Sequence, residues 1–190
     1  GDGSCDMSST DVFGCTDEST WTYQDVATIG NGSCNYSEPE VGDLGLGGIV
    51  FYVNESGENG LVAATEDLVG YYSWGCYYES ISGADGQAIG TGYQNSLDIV
   101  AGCANINIAA SVALGTNLNG YTDWYLPSKY ELIEMYYTIG NGNPEGNIGR
   151  NHNSFYWSSS EYDSYGAWSV GFNDGDEDVN EKNDTRRVRI

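Results

Sequence analysis

Ile49-Val-Phe-Tyr-Val53 and Leu61-Val-Ala-Ala64 are short apolar runs, and they predict two strands around an Asn/Gly/Glu-rich hairpin loop. From Tyr93 the pattern turns helical: Leu97 and Val100 share one face, Ile108, Val112 and Ala113 another, with a break near Gly102-Cys103. Trp124, Tyr125 and Leu126 predict a buried strand ended by Pro127, which lacks the N–H that a strand ladder needs. Ser128 then stands three residues before Glu131, the spacing of a capping box, in which each side chain satisfies an exposed N–H at a helix start. Leu132, Met135, Tyr136 and Ile139 follow at helical spacing, and Gly140 closes the helix. Phe155-Tyr-Trp157, Ala167–Phe172 and Arg186–Ile190 predict three late strands, separated by the turn-rich, acidic stretches Tyr162–Gly166 and Asn173–Asp184. Residues 70–92 are aromatic and glycine-rich without a clear period, and 140–153 read as a Gly/Asn-rich loop. Strands, then helices, then strands imply an α+β domain with short antiparallel strands and two or three helices.

Charge narrows the function classes. With Lys+Arg 6 against Asp+Glu 28, the formal net charge is −22, which repels nucleic-acid phosphates and anionic lipid. Neither nucleic acid nor membrane insertion is expected. The same field attracts cations, and Ca2+ is the one cofactor it invites. Five Trp and 16 Tyr supply a core despite the polar composition, so the chain is not of the disordered class. Its 190 residues suffice for one ordinary domain and a small module. No apolar run approaches 18 residues, and the opening Gly-Asp-Gly-Ser-Cys is unlike a translation start, so the expectation is a mature or excised piece of a longer protein.

The five cysteines, at 5, 15, 34, 76 and 103, form no Cys-x-x-Cys pair, and the single histidine, His152, is distant from all of them. That spacing argues against zinc and for disulfides in an oxidising compartment, extracellular or at the cell surface. Nor does any catalytic constellation stand out. His152 lies in a loop, Ser158-Ser-Ser160 has no accompanying base, and no nucleophile elbow or phosphate loop is present. The serines are expected at a strand edge, bonding neighbouring backbone. The chain is read as non-enzymatic.

Tyr121-Thr-Asp-Trp-Tyr-Leu-Pro-Ser-Lys-Tyr-Glu-Leu132 stands in order with several other motifs. These are Gly47-Gly-Ile-Val-Phe-Tyr52, Gly60-Leu-Val-Ala-Ala64, Trp74-Gly-Cys76, Phe155-Tyr-Trp-Ser-Ser-Ser-Glu161, Ala167-Trp168 and Arg187-Val-Arg189. Together they resemble the domain at the C-terminus of the Legionella collagen-like adhesin, from about Gly42 to the last residue. The resemblance implies a C-type-lectin-like fold and an adhesive role, with loops of the C-terminal half displayed to a glycan or surface-protein receptor. A different class of function, the subunit or tip of an extracellular fibre that self-assembles, remains the alternative. One enzyme class with a lectin-like fold, the formylglycine-generating oxidases, uses a late cysteine pair, and this chain has no cysteine after Cys103.

The family's adhesin engages sulfated polysaccharide, which needs basic residues. Here Arg150, Lys182, Arg186, Arg187 and Arg189 stand among acidic neighbours, so that ligand is not expected to carry over. The Glu-Pro-Asn motif of calcium lectins is also missing. Aromatic contacts remain, from Tyr162, Tyr165 and Trp168. In residues 161–185, 15 of 25 positions are Asn, Asp, Ser, Tyr or Gly, interleaved with Ala167, Trp168, Val170 and Phe172. This resembles the variable segment of lectin-fold proteins diversified by retroelements, although turns favour the same residue types. Either way Tyr162, Asp163, Tyr165, Asn173, Asp174, Asp176 and Asn180 are expected outside the scaffold, which Phe155–Trp157, Trp168 and Val188 hold.

Residues 1–40 are expected to be separate from 41–190, with Ser37-Glu-Pro-Glu40 as linker. Asp2-Gly-Ser-Cys5 and Asn31-Gly-Ser-Cys34 are near copies, and Gly14-Cys-Thr-Asp17 opens the unit that Cys34 closes. The pattern resembles short tandem repeats of secreted marine bacterial proteins, which act as stalks. That resemblance implies a Cys15–Cys34 bridge and leaves Cys5 without a partner in this chain. Cys76 and Cys103 then pair by elimination as much as by spacing. A calcium clip from Asp17, Glu18 and Asp25 is the functional alternative in the repeat, and Asp174, Asp176 and Asp178 are a second candidate set; the repeat's spacing matches no EF-hand loop.

Overall fold

The computed structural model describes residues 12–18, 20–24, 27–34, 37–140 and 155–190. Cys5, Asp25, Arg150 and His152 lie outside them. The element order is β1 (Phe13–Gly14), β2 (Ile29–Gly30), β3 (Leu44–Gly45), β4 (Gly48–Val53), β5 (Gly60–Ala63) and β6 (Tyr72–Ser73), then α1 (Gly92–Gly102), α2 (Ala109–Leu114) and α3 (Lys129–Ile139), then β7 (Phe155–Glu161), β8 (Gly166–Gly171), β9 (Glu177–Glu181) and β10 (Thr185–Arg186). The architecture is α+β. Two antiparallel sheets, β3-β4-β5 and β7-β8-β9, dominate it, with the small pairs β1-β2 and β10-β6 beside them.

Helix α3 forms because its start is capped as the Ser128/Glu131 spacing demands. Ser128 Oγ accepts the Glu131 N–H at 3.3 Å, and Glu131 Oε2 accepts the Ser128 N–H at 2.7 Å. Leu132, Met135 and Ile139 then face a core shared with Ile49 and Phe51 of β4 and with Tyr156, Val170 and Phe172 of the late sheet and the residue after it. The opposite face of β7–β8 carries Trp157 and Ala167 into a second core with Trp74, Ile99, Ile108 and Trp124. Strands β7 and β8 are thus covered on both sides, and every residue of β8 except half-buried Trp168 is buried.

Several expectations need correction. Trp124–Leu126 is not a strand: the Leu126 N–H donates to Ser96 Oγ at 3.1 Å, and the Pro127 carbonyl accepts the Ser159 N–H at 2.8 Å. Its backbone partners are thus a helix side chain and a single strand amide, not a ladder. The stretch 173–184 is not all turn, because Glu177–Glu181 forms β9 along β8. Its charges hid it; charged side chains are a usual protection of an edge strand. Leu97 and Val100 do share a face, but the buried face of α1 is Gly92, Asn95, Ser96 and Ile99. The last strand is shorter than expected. Only Thr185–Arg186 pairs with β6, and beyond it the Trp157 N–H donates to the Arg187 carbonyl, and the Leu68 and Ala64 N–H groups to the Val188 and Ile190 carbonyls.

Both anticipated disulfides are present, Cys15–Cys34 and Cys76–Cys103. Trp21, inside the first loop, packs so closely on Gly45 that a Cβ there would meet its ring at 2.5 Å.

Candidate functional site

The loop after β6 is held in an unfavourable backbone shape. Cys76 has φ 48° and Tyr78 φ 77°, left-handed values that cost an L-residue about 1–2 kcal/mol each. Such strain persists only where the surroundings over-determine it, and here they do. The Cys76–Cys103 bridge fixes one end, and the Cys76 N–H donates to Asn105 Oδ1 at 2.8 Å. The Tyr78 N–H donates to the Ser164 carbonyl at 2.9 Å. Further on, the Glu79 carbonyl accepts from Lys182 Nζ at 2.7 Å, and the Ile81 N–H donates to Glu161 Oε1 at 2.8 Å. Lys182 and Glu161 are themselves ion-paired in the interior, with the Lys182 ammonium 4.6 Å from the Trp74 ring centroid.

A second loop meets this one. Between β7 and β8, Asp163 Oδ1 accepts the N–H groups of Tyr165 and Gly166, each at 2.8 Å, a side-chain-closed turn that orients Tyr165. Tyr165 lies 5.2 Å from Tyr78 and 5.9 Å from Tyr77 between ring centroids, and Tyr77 and Tyr78 are 4.1 Å apart. The result is a three-tyrosine platform built from two loops. Tyr78 remains 67% and Tyr165 51% exposed, so the rings are placed without being covered. Desolvation, aided by neighbouring Tyr78 and Glu181, pushes the Tyr77 pKa up to about 12. On the same β7–β8 loop, exposed Tyr162 stands edge-on to Trp168 at 5.3 Å.

Residues 64–190 match the Lcl C-terminal domain family. The chain belongs to that family. It is an adhesin-associated family, and the matched span contains the whole tyrosine platform. No curated protein shows significant similarity to the chain.

The described cations of this Lcl C-terminal domain are all engaged by carboxylates, and Lys129, Lys182 and Arg189 are buried. Of its six basic residues, five are described, and each pairs with a carboxylate. Arg187 and Arg189 share Asp67 at 3.1 and 2.5 Å, and the Tyr156 hydroxyl donates to the same carboxylate at 2.9 Å. Arg186 pairs with Asp184 at 3.1 Å. Lys129, at the start of α3, pairs with Glu177 at 2.5 Å and lies 3.7 Å from the Trp168 ring centroid. Trp168 is thus half-buried beneath a lysine and serves the scaffold more than the surface.

The structure divides the residues expected to bind. Tyr162, Asp163 and Tyr165 gather at one end of β8, beside Tyr77 and Tyr78. Asn173, Asp174 and Asp176 are exposed in the β8–β9 turn, at the other end of a six-residue strand and so roughly 17–20 Å away. Asn180 is not outside the scaffold: its Oδ1 accepts from Ser169 Oγ at 2.8 Å and from Arg186 Nε at 3.1 Å. Asp174 accepts the Asp176 N–H and so closes its own turn, and Asp178, within β9, accepts the Val179 N–H and Asn180 Nδ2. Glu18 is exposed and Asp17 half-buried. Among the described residues no three His, Cys, Asp or Glu side chains are grouped to hold a metal ion.

Ser158, Ser159 and Ser160 stand on β7, an edge strand of its sheet, as expected, but they are fully buried. Ser158 Oγ donates to the Trp168 carbonyl, Ser160 Oγ donates to the Gly86 carbonyl, and Ser159 Oγ accepts from Asn95. Sequence reasoning missed Tyr77 and Tyr78. The available signal was two adjacent tyrosines directly after a cysteine in a stretch with no periodicity, where neither ring could be assigned to a buried face.

Proposed function

We propose that this Lcl C-terminal domain is the non-enzymatic binding head of an extracellular adhesin, presenting the Tyr77–Tyr78–Tyr165 platform and neighbouring Tyr162 to a glycan or protein receptor. The lectin-like fold implied by the sequence motifs fits this role, and the two disulfides fit an oxidising exterior. The carrying observation is Tyr78. A strained backbone is fixed by a disulfide, a buried ion pair and a cross-loop hydrogen bond, and what it holds out to solvent is an aromatic ring. Exposed, rotationally limited tyrosines supply contact area at low entropic cost and are enriched in recognition surfaces.

The test is a screen of glycans and surface proteins against the chain, followed by Tyr78→Ala/Tyr165→Ala. Binding to the identified partner should fall by about tenfold or more, as for central aromatic contacts. The thermal midpoint should move little, because exposed substitutions rarely exceed about 0.5 kcal/mol. Unchanged binding by the double variant would place the binding face elsewhere.

A further inference from the structure

The platform's surroundings bear on the chemical class of its partner, an inference that rests on the reading of Tyr77, Tyr78 and Tyr165 as the binding face. The rim is acidic. Glu79 follows Tyr78 and is exposed, as are Asp163 in the turn before Tyr165 and Glu181 beside Tyr77. The nearest cation, Lys182, is fully buried and already engaged by Glu161 and the Glu79 carbonyl. A polyanion arriving here would meet carboxylates with no available ammonium or guanidinium among the described residues. An ammonium or guanidinium would instead meet aromatic faces and carboxylates together, the two groups that attract it. The net charge of −22 adds long-range attraction for the same sign of ligand.

We propose that the platform's partner is a basic protein segment whose Lys or Arg side chains lie on Tyr78 and Tyr165 and pair with Glu79 and Glu181. The rings supply contact that tolerates either cation, and the carboxylates exclude sulfated glycans by repulsion. This separates the chain from any family member that binds sulfated polysaccharide: the domain is shared and the sign of the binding surface is reversed.

The experiment is calorimetric titration of the full chain with an end-capped Lys-Gly repeat peptide, its acetyl-lysine counterpart, heparin and a neutral glucose oligosaccharide. The lysine peptide should bind and the acetylated one should not. Tyr78→Ala and the pair Glu79→Gln/Glu181→Gln should each weaken the lysine peptide by about tenfold. The charge-matched pair Glu55→Gln/Glu58→Gln, on the exposed β4–β5 loop, should change it less than about twofold. Equal weakening by both glutamate pairs, with no effect of Tyr78→Ala, would mean diffuse attraction alone and would overturn both the partner class and the platform for this ligand. Tyr78-dependent binding of heparin or the neutral oligosaccharide, without binding of the lysine peptide, would overturn the basic partner and keep the platform. Binding of none of the four would also overturn the basic partner.

Discussion

Replacing Lys182 by methionine tests how the platform is held. The Lys182 side chain is fully buried, its ammonium pairs with Glu161, donates to the Glu79 carbonyl at 2.7 Å and lies over Trp74. Methionine fills most of the volume but strands the Glu161 carboxylate, which is only 8% exposed, and leaves the Glu79 carbonyl without that donor. Breaking a buried pair from one side costs about 3–5 kcal/mol, because the remaining charge is uncompensated. For a chain of this size that lowers the thermal midpoint by roughly 6–20 °C. Adding Glu161→Gln removes the stranded charge and keeps an acceptor for the Ile81 N–H, so Lys182→Met/Glu161→Gln should be more stable than Lys182→Met alone. Urea unfolding of the three proteins gives the energies, and amide exchange at Tyr78 and Ile81 reports the loop. Both amides should exchange faster in Lys182→Met even under conditions where the rest of the fold is intact. A single-variant cost below about 1 kcal/mol, the size of an exposed pair, would refute the claim that this ion pair holds the platform loop.

Three further outcomes are expected. Trp157→Ala removes a fully buried ring whose Nε1–H donates to the Tyr72 carbonyl at 2.8 Å, and should cost about 3–5 kcal/mol in urea unfolding. Cys76→Ala/Cys103→Ala opens a loop of sequence separation 27 and should cost about 3.5 kcal/mol by the chain-entropy argument, with faster amide exchange at Tyr78. Burial raises the pKa of Glu131 above its ordinary 4.5, against the lowering effect of the N–H bonds from Ser128 and Gly90. The native state then keeps a proton that the unfolded state releases, so this group's contribution is full below the unfolded value and is lost as pH rises through the folded one. Wild-type stability relative to Glu131→Gln should therefore fall as pH rises above the ordinary carboxylate value, and parallel stability curves would contradict the assignment.

Sequence pattern located the elements whose stability is local or strongly apolar. The capping box at Ser128 and Glu131 is written in two residues three apart, and β4, β5 and β7 are apolar runs with few alternatives. What escaped depends on distant partners. Trp124–Leu126 has strand composition, yet Leu126 bonds Ser96 and the following Pro127 bonds Ser159, partners that no local window contains. Strand β9 carries Glu177, Asp178 and Glu181, so its composition reads as loop, and only pairing with β8 makes it a strand. The candidate site was half visible: Tyr162, Asp163 and Tyr165 stand in a turn-rich segment, whereas Tyr77 and Tyr78 come from a loop almost ninety residues earlier, brought there through the Ser164 carbonyl and the Lys182–Glu161 pair.

The distribution of charge explains why the platform's rim can be acidic without threatening the fold. Carboxylates outnumber cations 28 to 6, so random placement would leave most ion pairs on the surface and worth little. Instead Lys129, Lys182, Arg187 and Arg189 sit where segments distant in sequence must be joined, while Arg186 pairs locally with Asp184. Arg187 and Arg189 hold the final residues to Asp67, with Arg189 also donating to the Ala64 carbonyl at 3.0 Å. Lys182 joins the β9–β10 turn to β7 and to the platform loop, and Lys129 joins α3 to β9. Each tie uses a carboxylate that would otherwise repel its neighbours, and none uses the side chains of Tyr162, Asp163 or Tyr165. Tyr162 and Tyr165 can therefore change type at small cost to the scaffold, while the same freedom at Asp67, Glu161 or Lys182 would leave a charge stranded inside it.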